Sequence, residues 1–199
     1  RIYRANRKIK QNNEHLYLTN VELLAKETQA RKQREEDEKK IKSLEEKVLA
    51  LCDFSPEITV ETTDSGVQKH KYQGSKTTDE DTKKLYASVL NVMESSEDII
   101  RLGFNIDSLS VLVHSRSRYV SQAINQEYGS NFNSLLNEYR IKEACRRLNG
   151  NPEYANMTIE SIAESVGFKS RTSFGALFKS ITGLSPSAYQ NIAKKKNSR

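Results

Sequence analysis

Apolar residues recur every seven positions along the first fifty residues. Ile2, Ile9, Leu16, Leu23, Ala30, Asp37, Leu44 and Leu51 fall on one column, and Asn6, Asn13, Asn20, Glu27, Arg34, Ile41 and Val48 on another, three residues earlier in each heptad. Gly and Pro are absent from residues 1–51, and the good helix formers Glu, Lys, Arg, Leu and Ala abound there. The pattern predicts one long helix over 1–51. With the first column read as d and the second as a, Leu at d and β-branched Ile41 and Val48 at a favour a parallel two-stranded coiled coil. Asn at a fixes register and the dimeric state at some cost in stability. Between Glu27 and Lys40 both columns turn polar, so the coil should loosen or break there. A single solvated helix is the alternative.

Ser55-Pro56 ends the helix, because proline cannot continue it. Thr, Ser, Gly, Lys and Asp then dominate residues 53–78, where Ile58, Val60 and Val67 support at most a short extended segment. The helical pattern returns at Asp79, with Leu85, Val89, Leu90, Val92 and Met93 on one stripe. The expected organisation is a coiled-coil dimerisation helix over 1–51, a linker over 52–78, and a helical domain over 79–199. Lys194–Lys196 reads as the start of a mobile basic tail.

Two similar blocks occupy the last hundred residues. The first is Ile106-Asp107-Ser108-Leu109-Ser110-Val111-Leu112-Val113, a polar turn, then Tyr119-Val120-Ser121-Gln122-Ala123-Ile124 and Tyr128-Gly129. The second is Thr158-Ile159-Glu160-Ser161-Ile162-Ala163-Glu164-Ser165-Val166-Gly167-Phe168, a polar turn, then Ser173-Phe174-Gly175-Ala176-Leu177-Phe178 and Thr182-Gly183. Each reads as a short amphipathic helix, a tight turn and a second helix ending near Gly. In the second block Thr158 and Ser170 suit N-caps, Gly167 suits a left-handed turn, and Ile159, Ile162, Ala163 and Val166 should bury with Phe174, Leu177 and Phe178. In the first block Leu109, Leu112 and Val113 should bury with Val120, Ala123 and Ile124.

Helix, short turn and helix is the helix-turn-helix arrangement, whose second helix enters the DNA major groove with its leading residues at base edges. The exposed positions suit that role: Arg116, Ser117, Arg118, Ser121, Gln122 and Asn125 in the first block, and Lys169, Ser170, Arg171, Thr172, Gly175, Ala176 and Lys179 in the second. Arg and Gln pair bidentately with guanine and adenine, and Ala or Thr touches the thymine methyl. A helical bundle with polar faces is the plain alternative, and the tandem repeat argues against it.

Charge points the same way. The chain of 199 residues carries a formal charge of +6. Residues 1–99 hold 18 Lys and Arg against 19 Asp and Glu, whereas residues 100–199 hold 14 against 7. A net-basic region beside a balanced one fits a polyanionic partner, double-stranded DNA first, although ordinary surface charge gives the same totals. No Trp, three prolines and abundant charge favour an all-α fold.

The run Ile159-Glu-Ser-Ile-Ala-Glu-Ser-Val-Gly-Phe168, then Phe174, Phe178-Lys179 and Thr182-Gly-Leu-Ser-Pro-Ser-Ala-Tyr189 resembles the DNA-binding domain of the AraC/XylS family of bacterial transcription regulators over residues 79–193. The segment Asn133–Leu148, with Tyr139-Arg140 and Ala144, resembles the family's linker helix. The resemblance implies about seven helices, with two recognition helices entering successive major-groove faces about 34 Å apart. It places base reading on Arg118, Ser121 and Gln122, and on Arg171, Thr172, Gly175 and Ala176. Gly175 and Ala176 depart from the longer polar residues usual there, and His114-Ser115-Arg116 replaces the usual turn Gly and capping Ser. The N-terminal arrangement resembles a Bacteroidetes-type subgroup, in which a sensor, a membrane span and a coiled coil precede this domain. Arg1, Arg4, Arg7, Lys8 and Lys10 would suit a cytoplasmic juxtamembrane segment, or simply a basic helix end.

Other chemistry is sparse. His15, His70 and His114 lack ligand spacing, so no metal or cofactor is expected, and His114 reads as a turn residue. Cys52 and Cys145 form no C-x-x-C pair, which fits a reducing, cytoplasmic setting, and Cys145 should be packed rather than reactive. Ser110, Ser121 and Ser161 have no evident His and Asp partners, and no Gly-rich phosphate loop occurs. No enzyme signature emerges. The rival reading is a signalling or scaffold protein whose helical domain is a protein-interaction module.

Overall fold

The computed structural model describes residues 2–52, 79–149, 152–154 and 156–197. Among these residues the chain is all-helical: α1 (Ile2–Cys52), α2 (Asp79–Ser95), α3 (Ile106–Leu112), α4 (Ser117–Glu127), α5 (Phe132–Leu148), α6 (Ile159–Ser165), α7 (Arg171–Thr182) and α8 (Pro186–Asn197), with 3-10 turns at Glu97–Ile100 and Pro152–Tyr154. Seven of the eight helices lie beyond residue 78. The linker, including Ile58, Val60 and Val67, lies outside the described residues from 53 onward.

The chain divides into two compact units, residues 1–24 with 77–199, and residues 25–76. In the second unit the described side chains of α1 over residues 25–44 are exposed, apart from half-buried Glu27. Ile41 and Leu44 are exposed, and the ion pairs Arg31–Glu35 (2.9 Å) and Lys40–Asp37 (3.6 Å) run along its surface. Such exposed pairs are screened by solvent and add little to stability.

The first unit has two apolar cores sharing α5. One gathers Val89 and Met93 of α2, Leu109, Val120 and Ile124 of the α3–α4 pair, and Leu135 and Leu136 from the first half of α5. The other gathers Ile141, Ala144, Cys145 and Leu148 from the second half of α5 with Ile162, Ala163, Val166, Phe174, Phe178, Leu184 and Tyr189. Each fully buried side chain of this size contributes roughly 1.5–3 kcal/mol by leaving water. The stripe expected for α3 is only partly inward. Leu109 is buried, but Leu112 is 39% exposed and Ser110 is buried in its place, its hydroxyl donating to the Ile106 carbonyl at 2.6 Å. A helix of seven residues has room for one inward row, and Leu112 falls beside it.

The second core contains a residue from far up the chain. Tyr17 of α1 is 1% exposed, meets Tyr189 edge-on with centroids 4.8 Å apart, and donates its hydroxyl to Asn149 Oδ1. Asn20 Nδ2 donates to the Thr182 carbonyl at 3.0 Å, and Val21 and Leu24 pack beside it. Asn13 and Asn20 of the a column are half-buried, while Ile9, Leu16 and Leu23 of the d column are exposed. The basic run Lys194–Lys196, expected as a loose tail, is the last turn of α8. Positive charge there complements the carbonyl end of the helix dipole.

Candidate nucleic-acid interface

Two helix pairs, α3–α4 and α6–α7, carry every candidate residue. Their turns are built alike. After α3, Ser115 N–H donates to the Ser110 carbonyl (3.0 Å) and His114 N–H to that of Val111 (3.2 Å). After α6, Phe168 N–H donates to Ala163 (3.0 Å) and Gly167 N–H to Glu164 (2.9 Å). This paired bonding closes a helix through one left-handed residue. Gly167 takes that conformation at φ 89°, and His114 takes it at φ 50°, so the histidine occupies the glycine's role.

The start of the second helix differs between the pairs. Ser170 caps α7 by accepting from Ser173 N–H (3.3 Å). Arg116 occupies the cap position of α4 without a side-chain bond, and Ser117 Oγ instead donates to Asp107 Oδ1 of α3 (2.5 Å). The α6–α7 turn is thus one residue longer. Matching the buried rows, Val120 with Phe174 and Ile124 with Phe178, equates Arg118 with Thr172, Ser121 with Gly175, Gln122 with Ala176, and Asn125 with Lys179.

These positions form one outward face on each helix. Arg116, Arg118, Gln122 and Asn125 are exposed, with Ser117 and Ser121 half-buried among them. Arg118 lies over the Tyr119 ring, 4.6 Å from its centroid, which limits its swing. Lys169, Ser170, Arg171, Thr172, Ala176 and Lys179 are exposed on the other pair. At Gly175, a Cβ would meet nothing within 4 Å.

Several supporting residues escaped the sequence pattern. Asn105 caps α3 by accepting from Asp107 and Ser108 N–H (3.0 and 2.9 Å), and Asn131 caps α5 by accepting from Ser134 N–H (3.0 Å). Both are Asn three residues before Ser, a legible capping signal. Two buried arginines gave no such signal. Arg147 Nε donates to Glu143 Oε1 (2.9 Å) and Nη1 to the Ser165 carbonyl at the end of α6 (3.0 Å), with the Tyr154 ring 4.8 Å from its guanidinium carbon. Arg140, 7% exposed, donates to three backbone carbonyls, and burial pulls its guanidinium below the usual value. Cys145 is buried, and that burial pushes its thiol up to about 12.

Similarity to known proteins covers this part of the chain. Residues 109–192, from α3 through α8, match the family described as "Helix-turn-helix domain". This region of the chain is similar to that family. Over 91 residues the chain is 36% identical to the uncharacterized HTH-type transcriptional regulator YisR of Bacillus subtilis (strain 168), covering 46% of this chain and 30% of that protein. The chain thus spans less than a third of that relative's length. Among solved structures, a transcriptional regulator with an AraC-type DNA-binding domain from Chromobacterium violaceum is 17% identical with a TM-score of 0.48, covering 56% of this chain and 94% of that one. The DNA-binding domain of AdpA, a global transcriptional factor in complex with a target DNA, is 20% identical with a TM-score of 0.46, covering 58% and 96%.

Proposed function

We propose that this chain is a sequence-specific DNA-binding transcription regulator of the AraC/XylS type. Residues 79–199 read double-stranded DNA through two helix-turn-helix units, with α4 and α7 as recognition helices in successive major-groove segments. The observation that carries this is the outward face of each second helix, where Arg118 and Gln122, and Arg171 and Thr172, are exposed on a helix anchored by buried residues. The helix-turn-helix match over 109–192 and the likeness to a transcriptional regulator support it. Gly175 supports it as well. Glycine inside a helix costs roughly 1 kcal/mol relative to alanine, and among the described residues no neighbour demands it there. Close approach of an external partner gives it a reason.

Lys and Arg contacts to phosphate supply most of the affinity, so binding falls steeply with salt. Arg116, Lys169 and Lys179 are the first such contacts, with base reading by Arg118, Ser121, Gln122, Arg171 and Thr172. Dimerisation through a parallel coil over residues 1–51 completes the proposal, supported by exposed Ile9, Leu16, Leu23, Ile41 and Leu44; it requires the a-column Asn20 to exchange its bond to the Thr182 carbonyl for the partner helix. Residues 52–78 then act as a linker. An upstream sensor and membrane segment, with the described region on the cytoplasmic side, follows from the subgroup resemblance. No described helix is itself long and apolar enough to cross a membrane.

The test is fluorescence anisotropy of the full chain on a random duplex pool at two salt concentrations, with selection and sequencing of the bound fraction. Two short enriched boxes about one helical turn apart are expected. Weak binding with no enriched sequence would replace this reading with the protein-interaction module.

A further inference from the structure

Arg140 sits in the middle of α5, where the two cores meet. Leu135 and Leu136, one turn before it, belong to the first core, and Ile141, Ala144 and Cys145 belong to the second. Its planar guanidinium reaches both sides. Nε donates to the Ile99 carbonyl (2.7 Å) and Nη2 to the Arg101 carbonyl (2.9 Å), on the segment leading into α3. Nη1 donates to the Gly167 carbonyl (3.0 Å), in the turn leading into α7. A single rigid fork therefore ties the entrance of one helix pair to the turn of the other. The fit is close: a Cβ on Gly167 would stand 2.7 Å from Arg140 Cζ and 2.7 Å from the Ile100 carbonyl oxygen. Gly167 is thus needed both for its left-handed turn and for the space the guanidinium fills.

The arrangement does more than satisfy polar atoms. Burying a cation against carbonyl dipoles is costly unless several good hydrogen bonds compensate. A fork of fixed angles aimed at three carbonyls from two substructures turns that requirement into a geometric constraint. Lysine, a point charge on a flexible stem, cannot hold all three at once.

We propose that Arg140 is a positioning residue for DNA specificity: by locking the α6–α7 turn to the segment before α3, it fixes the relative rotation of the two recognition helices and thereby the spacing between DNA boxes that the domain accepts. This rests on the reading that both pairs engage one duplex. Each added base pair moves the second box by about 3.4 Å and turns it by about a tenth of a revolution. A rigid reader rejects that shift, and a loosened one tolerates it.

The experiment uses the full chain and duplexes drawn from its own selected pool, redesigned with the two boxes moved by −1, 0 and +1 base pair, together with duplexes bearing one box alone. The wild-type chain should bind the native spacing at least about tenfold more tightly than either shifted duplex, the scale of one or two lost base contacts. Arg140→Lys and Arg140→Met should narrow that ratio to within about threefold while leaving single-box affinity unchanged. A variant that keeps the wild-type ratio would overturn the proposal, and so would one that loses single-box and two-box binding equally, which marks a merely structural role. A wild-type chain indifferent to spacing would instead defeat the two-unit reading beneath it. Should both variants unfold, residual dipolar couplings on the wild-type protein decide. One alignment tensor shared by α3–α4 and α6–α7 is expected, and two distinct tensors would overturn the lock.

Discussion

Replacing Tyr17 with alanine tests whether the beginning of α1 is part of the helical domain's own core. Tyr17 is 1% exposed, its ring edge lies on Tyr189, and its hydroxyl donates to Asn149. Truncating a buried aromatic side chain to alanine costs about 3–5 kcal/mol. Within that, the aromatic pair supplies about 0.5–1.5 kcal/mol and the hydrogen bond about 1 kcal/mol. A helix bordering a core can shift to close part of the cavity, so the lower end, about 3 kcal/mol, is expected. At roughly 2–4 °C per kcal/mol for a protein of this size, Tm should fall by about 6–12 °C. Circular dichroism melting of the full chain at fixed concentration measures this, and Tyr17→Phe, which removes only the hydroxyl, should cost about 1 kcal/mol. The comparison residue is Leu23, on the exposed side of the same helix, whose replacement by alanine should barely move Tm at a concentration where the chain is monomeric. If Tyr17→Ala melts within about a degree of the wild type, α1 does not seat on the domain, and its inward face must be explained by something other than core packing.

Other expectations follow from the same geometry. Arg171→Ala should weaken binding to the selected operator by about 1–3 kcal/mol while sparing random duplex; equal loss on both would make Arg171 a phosphate contact. With Cys52 replaced by serine, iodoacetamide at pH 8.5 should label the native chain at least about a hundredfold more slowly than the urea-unfolded chain, because burial raises the Cys145 thiol to about 12; rapid native labelling would show an accessible thiol. Tyr128 is raised to about 12 by burial, then by its hydrogen bond to Glu138 and that carboxylate's charge. A raised folded value means its stabilisation is complete below about pH 10, the unfolded value, and is lost as pH rises toward about 12. Tyr128→Phe should therefore flatten the fall in urea midpoint between pH 9 and pH 12, and an unchanged slope would refute the assignment. Asn131→Ala removes the α5 cap and should cost about 1 kcal/mol in urea denaturation; a change within a few tenths would mean the cap is dispensable.

Much of the helical domain was legible in order and kind because its signals are local. Heptad and amphipathic periodicity, Thr158 and Ser170 as caps, and Gly167 as the turn residue each depend on neighbours a few positions away. The outward positions on α4 and α7 were legible for the same reason: once the buried row is placed, a 3.6-residue period fixes the opposite face. What only tertiary structure decided involves residues far apart in sequence. Tyr17 and Asn149 are 132 positions apart, and nothing near Tyr17 announces that it is buried while the regular d-column Leu23 is exposed. The heptad column recorded which residues are apolar, and the neighbouring domain selected which face of the helix went inward. Arg140 is the same case in polar form. Its sequence neighbourhood shows a charged residue on a helix, and burial became tolerable only when three carbonyls from separate segments converged on it. Periodicity sets which faces exist, whereas long-range packing chooses what each face meets, because burial free energy depends on the partner surface and not on the pattern alone.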